Sequence, residues 1–331
     1  MSLLQYEFMQ RALLAALLVG MTAPAVGVYL VQRRQAFMGD GIGHVALTGV
    51  GLGLLLNGSP VLFAVITAAA GAVAIELIRE RSKVSGDVAL SVLFYGGIAG
   101  GVMLASQSDS GANLDAYLFG QLTSVSEDDL RVIVILAIAV LAVTIGLRRP
   151  LFTVCQDEEF ARVTGLPVRT LNLLIAVTAA VTVTVAMRVV GLLLVSALMV
   201  VPVAIAQQLT RNFALTAAAS IGIGVVVSVS GTTLTYYVEA PPGATIVLLA
   251  IGLFVVVGVV AAPLNHRRAR RAALAADSIA ERDALGGVPQ DDLHVGAAPR
   301  PDGDTAASGT MSGTRRAPDA VEKPHVEEEP R

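Results

Sequence analysis

Nine blocks of apolar sequence, separated by short segments that hold nearly all the charge, constrain this chain more than anything else in it. They run Leu13–Val31, Ile42–Leu56, Val61–Ile78, Val88–Ala105, Val132–Leu147, Leu171–Met187, Val189–Ala206, Phe213–Gly231 and Ala244–Ala262. Several reach the roughly 20 residues that a helix needs to cross a bilayer. With 54% hydrophobic and 15% charged residues, the chain departs from a soluble domain, where about a quarter of residues are charged. An all-α, polytopic integral membrane protein of eight or nine transmembrane helices is expected. Ile42–Leu56 is the block whose full crossing is open, being short and close to its neighbour across Asn57–Pro60. Ala23-Pro24-Ala25 offers a signal-peptide-like cleavage site, but the apolar run continues to Val31 and Glu7 spoils a basic leader. The first helix is expected to be retained.

Charge placement sets the orientation. Basic residues cluster at Arg33/Arg34, Arg79/Arg81/Lys83, Arg148/Arg149 with Arg162/Arg169, Arg211, and Arg267/Arg268/Arg270/Arg271. Nine spans with an outer N-terminus bring every cluster to the cytoplasm, as the positive-inside rule requires. The longest outer loop, Ser106–Leu130, carries Asp109, Asp115, Glu127, Asp128 and Asp129. It reads either as a vestibule that draws in cations or as a loop that merely obeys topology. Gly39/Gly43, Gly49/Gly53, Gly96/Gly100 and Gly97/Gly101 have the spacing that lets membrane helices approach closely. Residues 1–265 form the expected membrane domain. Residues 266–331 turn basic and then Pro-, Gly-, Asp- and Glu-rich, the composition of a disordered, cytoplasmic tail. His266, His294 and His325 are scattered there without ligand spacing.

Within the membrane part, Asp40 and His44 draw attention. Four residues apart on a helix, a carboxylate and an imidazole share one face. Ionisable groups in a span cost about 2.5–3.5 kcal/mol each on insertion scales and usually face a pathway. Together they suit a divalent transition metal. The same pair also reads as a helix cap near the cytosolic boundary followed by a packed polar residue. Arg188 reads as a path-lining residue or as a helix anchor that snorkels, and Pro202 as a gating kink or a tolerated proline. The lone Cys155 excludes an internal disulfide. No GxxxxGK[ST], HExxH or GxSxG occurs, so neither a nucleotide-hydrolysing nor a hydrolase site of those types is present. The chain is expected to be a conduit and not an enzyme, driven by an ion gradient or by a separate motor.

One cytosolic loop bears on that choice. Asp157-Glu158-Glu159-Phe160-Ala161-Arg162-Val163 begins with acids suited to a helix N-terminus, and Gly165 and Pro167 can close it. Such a short amphipathic helix would fit a partner's groove, with Asp157, Glu158, Glu159, Phe160 and Gly165 as its candidate coupling residues.

The order of these motifs resembles the permease subunit of the metal-ion ABC transporters that import zinc, manganese or iron. RRQAFMGDGIGHVALTGVGLG resembles the family's RR-x-x-x-x-GDAxSHxxLPGVxxG, and SGDVALSVLFYGGIAGGVMLAS resembles the helix after it. NLDAYLFGQLTSVSEDDL resembles the outer YLFG segment. DEEFARVTGLPVRTLNLLIAVTAAVTVTVAMRVVGLLLVSALMVVPVAIA resembles the coupling loop and the VGxLLVxALLxxPAA helix, and TTLTYYVEAPPGATIVLLA the SYYxDxPxGAxIVL close. Together these cover about residues 5–265. The resemblance implies that Asp40 and His44 coordinate the transported metal, and that Glu159 and Gly165 lie in the segment contacting the ATPase. It implies no permanently bound cofactor. Its implied partners are a cytosolic ABC ATPase, an extracytoplasmic metal-binding lipoprotein, a second copy in a homodimer, and membrane lipid in the plasma membrane; nucleic acid is not among them. Two departures stand out: Gly43 where the family usually has Ser, removing a hydroxyl from the neighbourhood of His44, and Thr48 where it usually has Pro, which would straighten the helix. Outside this family, a gradient-driven secondary metal transporter or a membrane scaffold or sensor acting through its tail would fit the same composition.

Overall fold

The computed structural model describes residues 7–81, 86–107, 114–120, 127–238 and 240–261. Among them there are helices and no strand. In chain order these are α1 (Glu7–Gln32), α2 (Met38–Leu55), α3 (Pro60–Arg81), α4 (Gly86–Ser106), α5 (Leu114–Phe119), α6 (Glu127–Gly146), α7 (Arg148–Gln156), α8 (Glu158–Val163), α9 (Val168–Val190), α10 (Leu192–Leu209) and α11 (Phe213–Val238), followed by α12 (Pro242–Ala261). Seven are long and apolar enough to cross a membrane, and the bent pair α6–α7 makes eight. α10 is apolar but shorter and is not among them, so the structure supports the lower end of the eight or nine spans expected from the sequence. α2, the uncertain span, is an unbroken helix of 18 residues, about 27 Å long at 1.5 Å per residue. The tail, and with it the assignment of residues 266–331, lies outside the described residues.

α1 is the hub, packing against α11, α10, α9, α6 and α7. α2 is the second centre, enclosed by α4, α3, α9 and α10. Small side chains make both possible. On α3, Ala64, Ala68 and Ala72 are fully buried at four-residue spacing, which gives α2 a flat seat. On α4, Gly97 and Gly101 do the same: a Cβ at Gly97 would stand 2.5 Å from the His44 carbonyl carbon, and one at Gly101 3.0 Å from that of Leu47. The parallel pair Gly96/Gly100 is looser, Gly96 meeting open space. Another tight approach joins α1 to α10, where a Cβ at Gly27 would fall 1.9 Å from the Met199 carbonyl oxygen. Gly27→Ala is therefore expected to force the hub apart, at a cost of about 1–3 kcal/mol for overpacking, read as a lower unfolding temperature in detergent.

The outer faces show the opposite chemistry. Met103 on α4, Ile135 on α6, Val226 on α11 and Val259 on α12 are all exposed, the signature of a surface that meets lipid. Several core hydroxyls are satisfied within their own helices: Thr178, Thr182 and Thr184 each donate to the carbonyl four residues earlier.

Chain breaks fall where local chemistry dictates. Pro60 occupies the first position of α3, where its missing N–H is not needed. α6 and α7 meet at 67°. Gly191, at φ +88°, separates α9 from α10 and lies so close to Phe119 and Gly120 of the outer segment that a Cβ would meet them at 2.4–2.5 Å. α1 ends with Gln35 N–H donating to Leu30 and Arg34 N–H to Val31, a left-handed closure at Arg34, φ 58°. The chain then enters α2 directly.

Candidate functional site

Asp40 is not a helix cap. The residue preceding α2 is Phe37, which makes no side-chain cap bond, and Asp40 lies inside the first turn. Its Oδ1 accepts a hydrogen bond of 2.6 Å from Ser196 Oγ on α10. Ser196 precedes the cytosolic end of α10 at Leu209 by a helical rise of about 20 Å. The pair therefore lies about 20 Å along α10 from that end. One turn on, His44 is buried, 7% exposed. Its ring packs edge-on against Phe94 of α4 at 4.3 Å, and its Nδ1 has no hydrogen-bond partner.

The two departures in α2 now have local explanations. A side chain at Gly43 would press on Leu192 Cδ1 at 2.6 Å and Val183 Cγ1 at 3.3 Å, so glycine there seats α2 between α9 and α10. The hydroxyl near the carboxylate comes from Ser196, at an unspecified position of the α10 motif. Thr48 donates from its Oγ1 to the Gly97 carbonyl at 2.8 Å, tying α2 to α4 beside His44. Among the described residues no group of three or more His, Cys, Asp and Glu side chains converges. A metal at Asp40 and His44 would complete its shell with water, backbone carbonyls or its own ligands, which suits passage better than storage.

Arg188 stands in the last turn of α9. Its guanidinium donates to the Tyr117 hydroxyl at 3.2 Å and lies 5.4 Å from the centre of that ring, pinning α9 to the outer segment α5. Pro202 is accommodated within α10. Of the acidic outer loop, Glu127 pairs with Arg11 at 2.8 Å; Asp109 and the side chains of Asp115, Asp128 and Asp129 lie outside the described residues.

The candidate coupling loop folds as its spacing predicts. Asp157 caps α8 by accepting from the Phe160 N–H at 3.0 Å. Gly165, φ +80°, closes the helix while Leu166 N–H returns to Ala161. Beneath it Ala161 is fully buried, whereas Phe160 is 58% and Val163 87% exposed. Glu159 is exposed too. Glu158 faces inward: its Oε1 accepts from Arg33 at 2.9 Å, from Arg79 at 3.3 Å and from Asn172 at 3.2 Å. Arg33 also lies 3.8 Å from Glu76, which pairs with Arg79 at 3.2 Å. The cluster thus joins the cytosolic ends of α1, α3, α8 and α9. Burial pushes the Arg33 guanidinium below its ordinary value, helped by Arg79, while Glu76 and Glu158 oppose the shift. This cluster is what sequence reasoning missed, because its members are scattered from 33 to 172 and only the basic pair and the acidic run were visible. A polar cavity of about 650 Å³ opens beside it, lined by Glu80, Arg162 and Arg169 among others. On α7 the lone Cys155 is half-buried and is expected to react slowly with maleimides.

An all-helical bundle with a polar pair in the first two turns of one span and an exposed short helix between two others defines a multi-pass membrane transport subunit. The chain belongs to the ABC 3 transport family, whose signature matches residues 5–261, and is a metal-ion ABC transporter permease. It is 33% identical over 76% of its length to the manganese transport system membrane protein MntC of Halalkalibacterium halodurans, covering 87% of that protein. It is 32% identical to the chelated iron transport system membrane protein YfeD of Yersinia pestis, over 76% of this chain and 84% of that one. Among solved structures, PsaBC from Streptococcus pneumoniae in complex with Fab matches with a TM-score of 0.71 and 28% identity, covering 77% of this chain and 92% of that one. An inward-facing putative metal-chelate type ABC transporter shares the fold at a TM-score of 0.63 and 16% identity, over 75% of this chain and 85% of that one.

Proposed function

We propose that this permease imports a divalent transition metal into the cytoplasm, passing it over Asp40 and His44. The observation that carries the reading is the buried His44 with its unpartnered Nδ1 one turn from a carboxylate already oriented by Ser196. A buried polar atom without a partner is costly in a structural role and natural in a ligand. One carboxylate and one imidazole are a donor set for manganese, iron or zinc alike; relatives named for manganese and iron transport support that range. Phe160, Val163 and Glu159 form the surface on which a separate cytosolic ATPase docks. An extracytoplasmic lipoprotein delivers the metal, and two copies of the chain enclose the path.

The test is manganese uptake in proteoliposomes holding the chain, its ATPase and its binding protein. Uptake should require ATP and all three components. Uptake driven by an ion gradient with the ATPase left out would replace this reading with a secondary transporter. Gly165→Arg is expected to keep the complex folded, because a side chain there meets open space. It should lower transport per ATP hydrolysed, since the left-handed backbone strains any residue but glycine.

A further inference from the structure

α6 and α11 both pack on α1 yet scarcely touch one another. The gap between them is a slot of about 400 Å³ at the cytosolic end of the bundle. Its floor is Ala25 and Tyr29 of α1, and its walls are Ile145 of α6 and Ala217, Ala218 and Ile221 of α11. Phe213 to Ile221 spans about 12 Å of helix, so the slot occupies the inner half of a hydrocarbon core about 30 Å thick. Its sides are open to the surroundings, with Ile145 57% exposed. At the mouth α7 turns away at 67° and presents Arg148 and Arg149 in its first turn. Both are exposed, no acidic residue lines the slot, and neither arginine makes an ion pair among the described residues. The Tyr29 hydroxyl is already spent on the Thr144 carbonyl at 2.7 Å, leaving the floor apolar.

We infer that this slot binds one anionic phospholipid of the cytoplasmic leaflet, its phosphate held by Arg148 and Arg149 and an acyl chain lying along α1 between α6 and α11. The charge is complementary to that leaflet and unbalanced by the protein, and the apolar trough begins where a headgroup would end. A soluble phosphate has no use for the trough, and a zwitterionic lipid offers the same phosphate together with a cation that the two arginines repel. Bound there, the lipid would wedge α6 against α11 and fix the elbow from which the coupling loop departs.

The test counts lipids retained by the delipidated, full-length chain assembled with its ATPase, by native mass spectrometry after addition of phosphatidylglycerol or phosphatidylcholine in mixed micelles. Wild type should keep phosphatidylglycerol preferentially. An arginine near an anionic surface contributes about fivefold in affinity, so Arg148→Gln with Arg149→Gln should lower retention roughly 25-fold. Ala218→Trp and, independently, Ala214→Phe fill the slot without changing charge and should also reduce retention. Arg211→Gln, a basic residue outside the slot, should leave it unchanged. Equal retention of both lipids would overturn the inference. So would an equal loss with Arg211→Gln, full retention in both slot-filling variants, or displacement of the lipid by glycerol phosphate alone.

Discussion

Asp40→Asn and His44→Phe are each expected to reduce metal uptake by more than about 100-fold while leaving the protein folded. The choice of substitutions separates a ligand from a scaffold. Asparagine keeps an oxygen for the Ser196 hydroxyl, which now bonds Asp40 at 2.6 Å, but loses the negative charge. Phenylalanine keeps the edge-on contact that His44 makes with Phe94 but has no nitrogen. If the pair only held α2 in place, both variants would transport nearly as well as wild type. If it coordinates the passing ion, both lose most of the affinity. Removing a group that merely orients a ligand costs about 10–100-fold in metal affinity, so Ser196→Ala should lie at the mild end of that range and the ligands beyond it. Equilibrium binding of manganese to detergent-solubilised protein measures the effect without the ATPase. Wild-type affinity in the Asp40→Asn variant would return that residue to a structural role.

The sequence made half of this site legible. The four-residue spacing puts Asp40 and His44 on one face, and that needs nothing beyond helical geometry. Their neighbours were not legible, because counting from Arg33 and Arg34 says nothing of which helices enclose Asp40. The chain turns back into the bundle at Arg34 and brings the start of α2 beside Ser196 and Met199. Ser196 carried no signal of its own: one serine in an apolar run is ordinary, and only tertiary packing brings α10 to α2. The glycine pairs behaved similarly. Spacing marked Gly96/Gly100 and Gly97/Gly101 equally, yet only the second lies against the α2 backbone, since the helix's rotation about its axis is set by the neighbours it packs on. By contrast α8 was readable to the residue, because Asp157 and Gly165 act through local hydrogen bonds that depend on no other part of the fold.

Reversing Arg33 to glutamate is expected to cut metal transported per ATP hydrolysed by tenfold or more, and adding Glu158→Arg to restore part of it. The Arg33 side chain is 5% exposed and faces Glu158 and Glu76 together. Removing one partner of a buried ion pair costs on the order of 3–5 kcal/mol. The effect here falls below that, because Glu158 remains 38% exposed and solvent screens it. Some loss of thermal stability is therefore expected from any change at Arg33 and says nothing about coupling. The ratio of transport to hydrolysis does. Glu158 begins the cytosolic helix that a motor would push, and Arg33 ends the hub helix just before the chain turns into α2. A displacement of α8 reaches Arg33 through a direct 2.9 Å contact and, from there, the start of the helix that carries Asp40. Glu76 and Arg79 bind the end of α3 into the same cluster, so α2 is gripped from both of its sequence neighbours. The direct contact needs opposite charges at 33 and 158, while the exchange leaves the new acid facing Glu76 and the new base facing Arg79. For that reason the double exchange should recover part of the coupling without recovering full stability. Arg33→Glu with an unchanged transport-to-hydrolysis ratio would show that force from α8 reaches α2 by another route, through α9 and the Arg169–Glu80 pair at 3.0 Å.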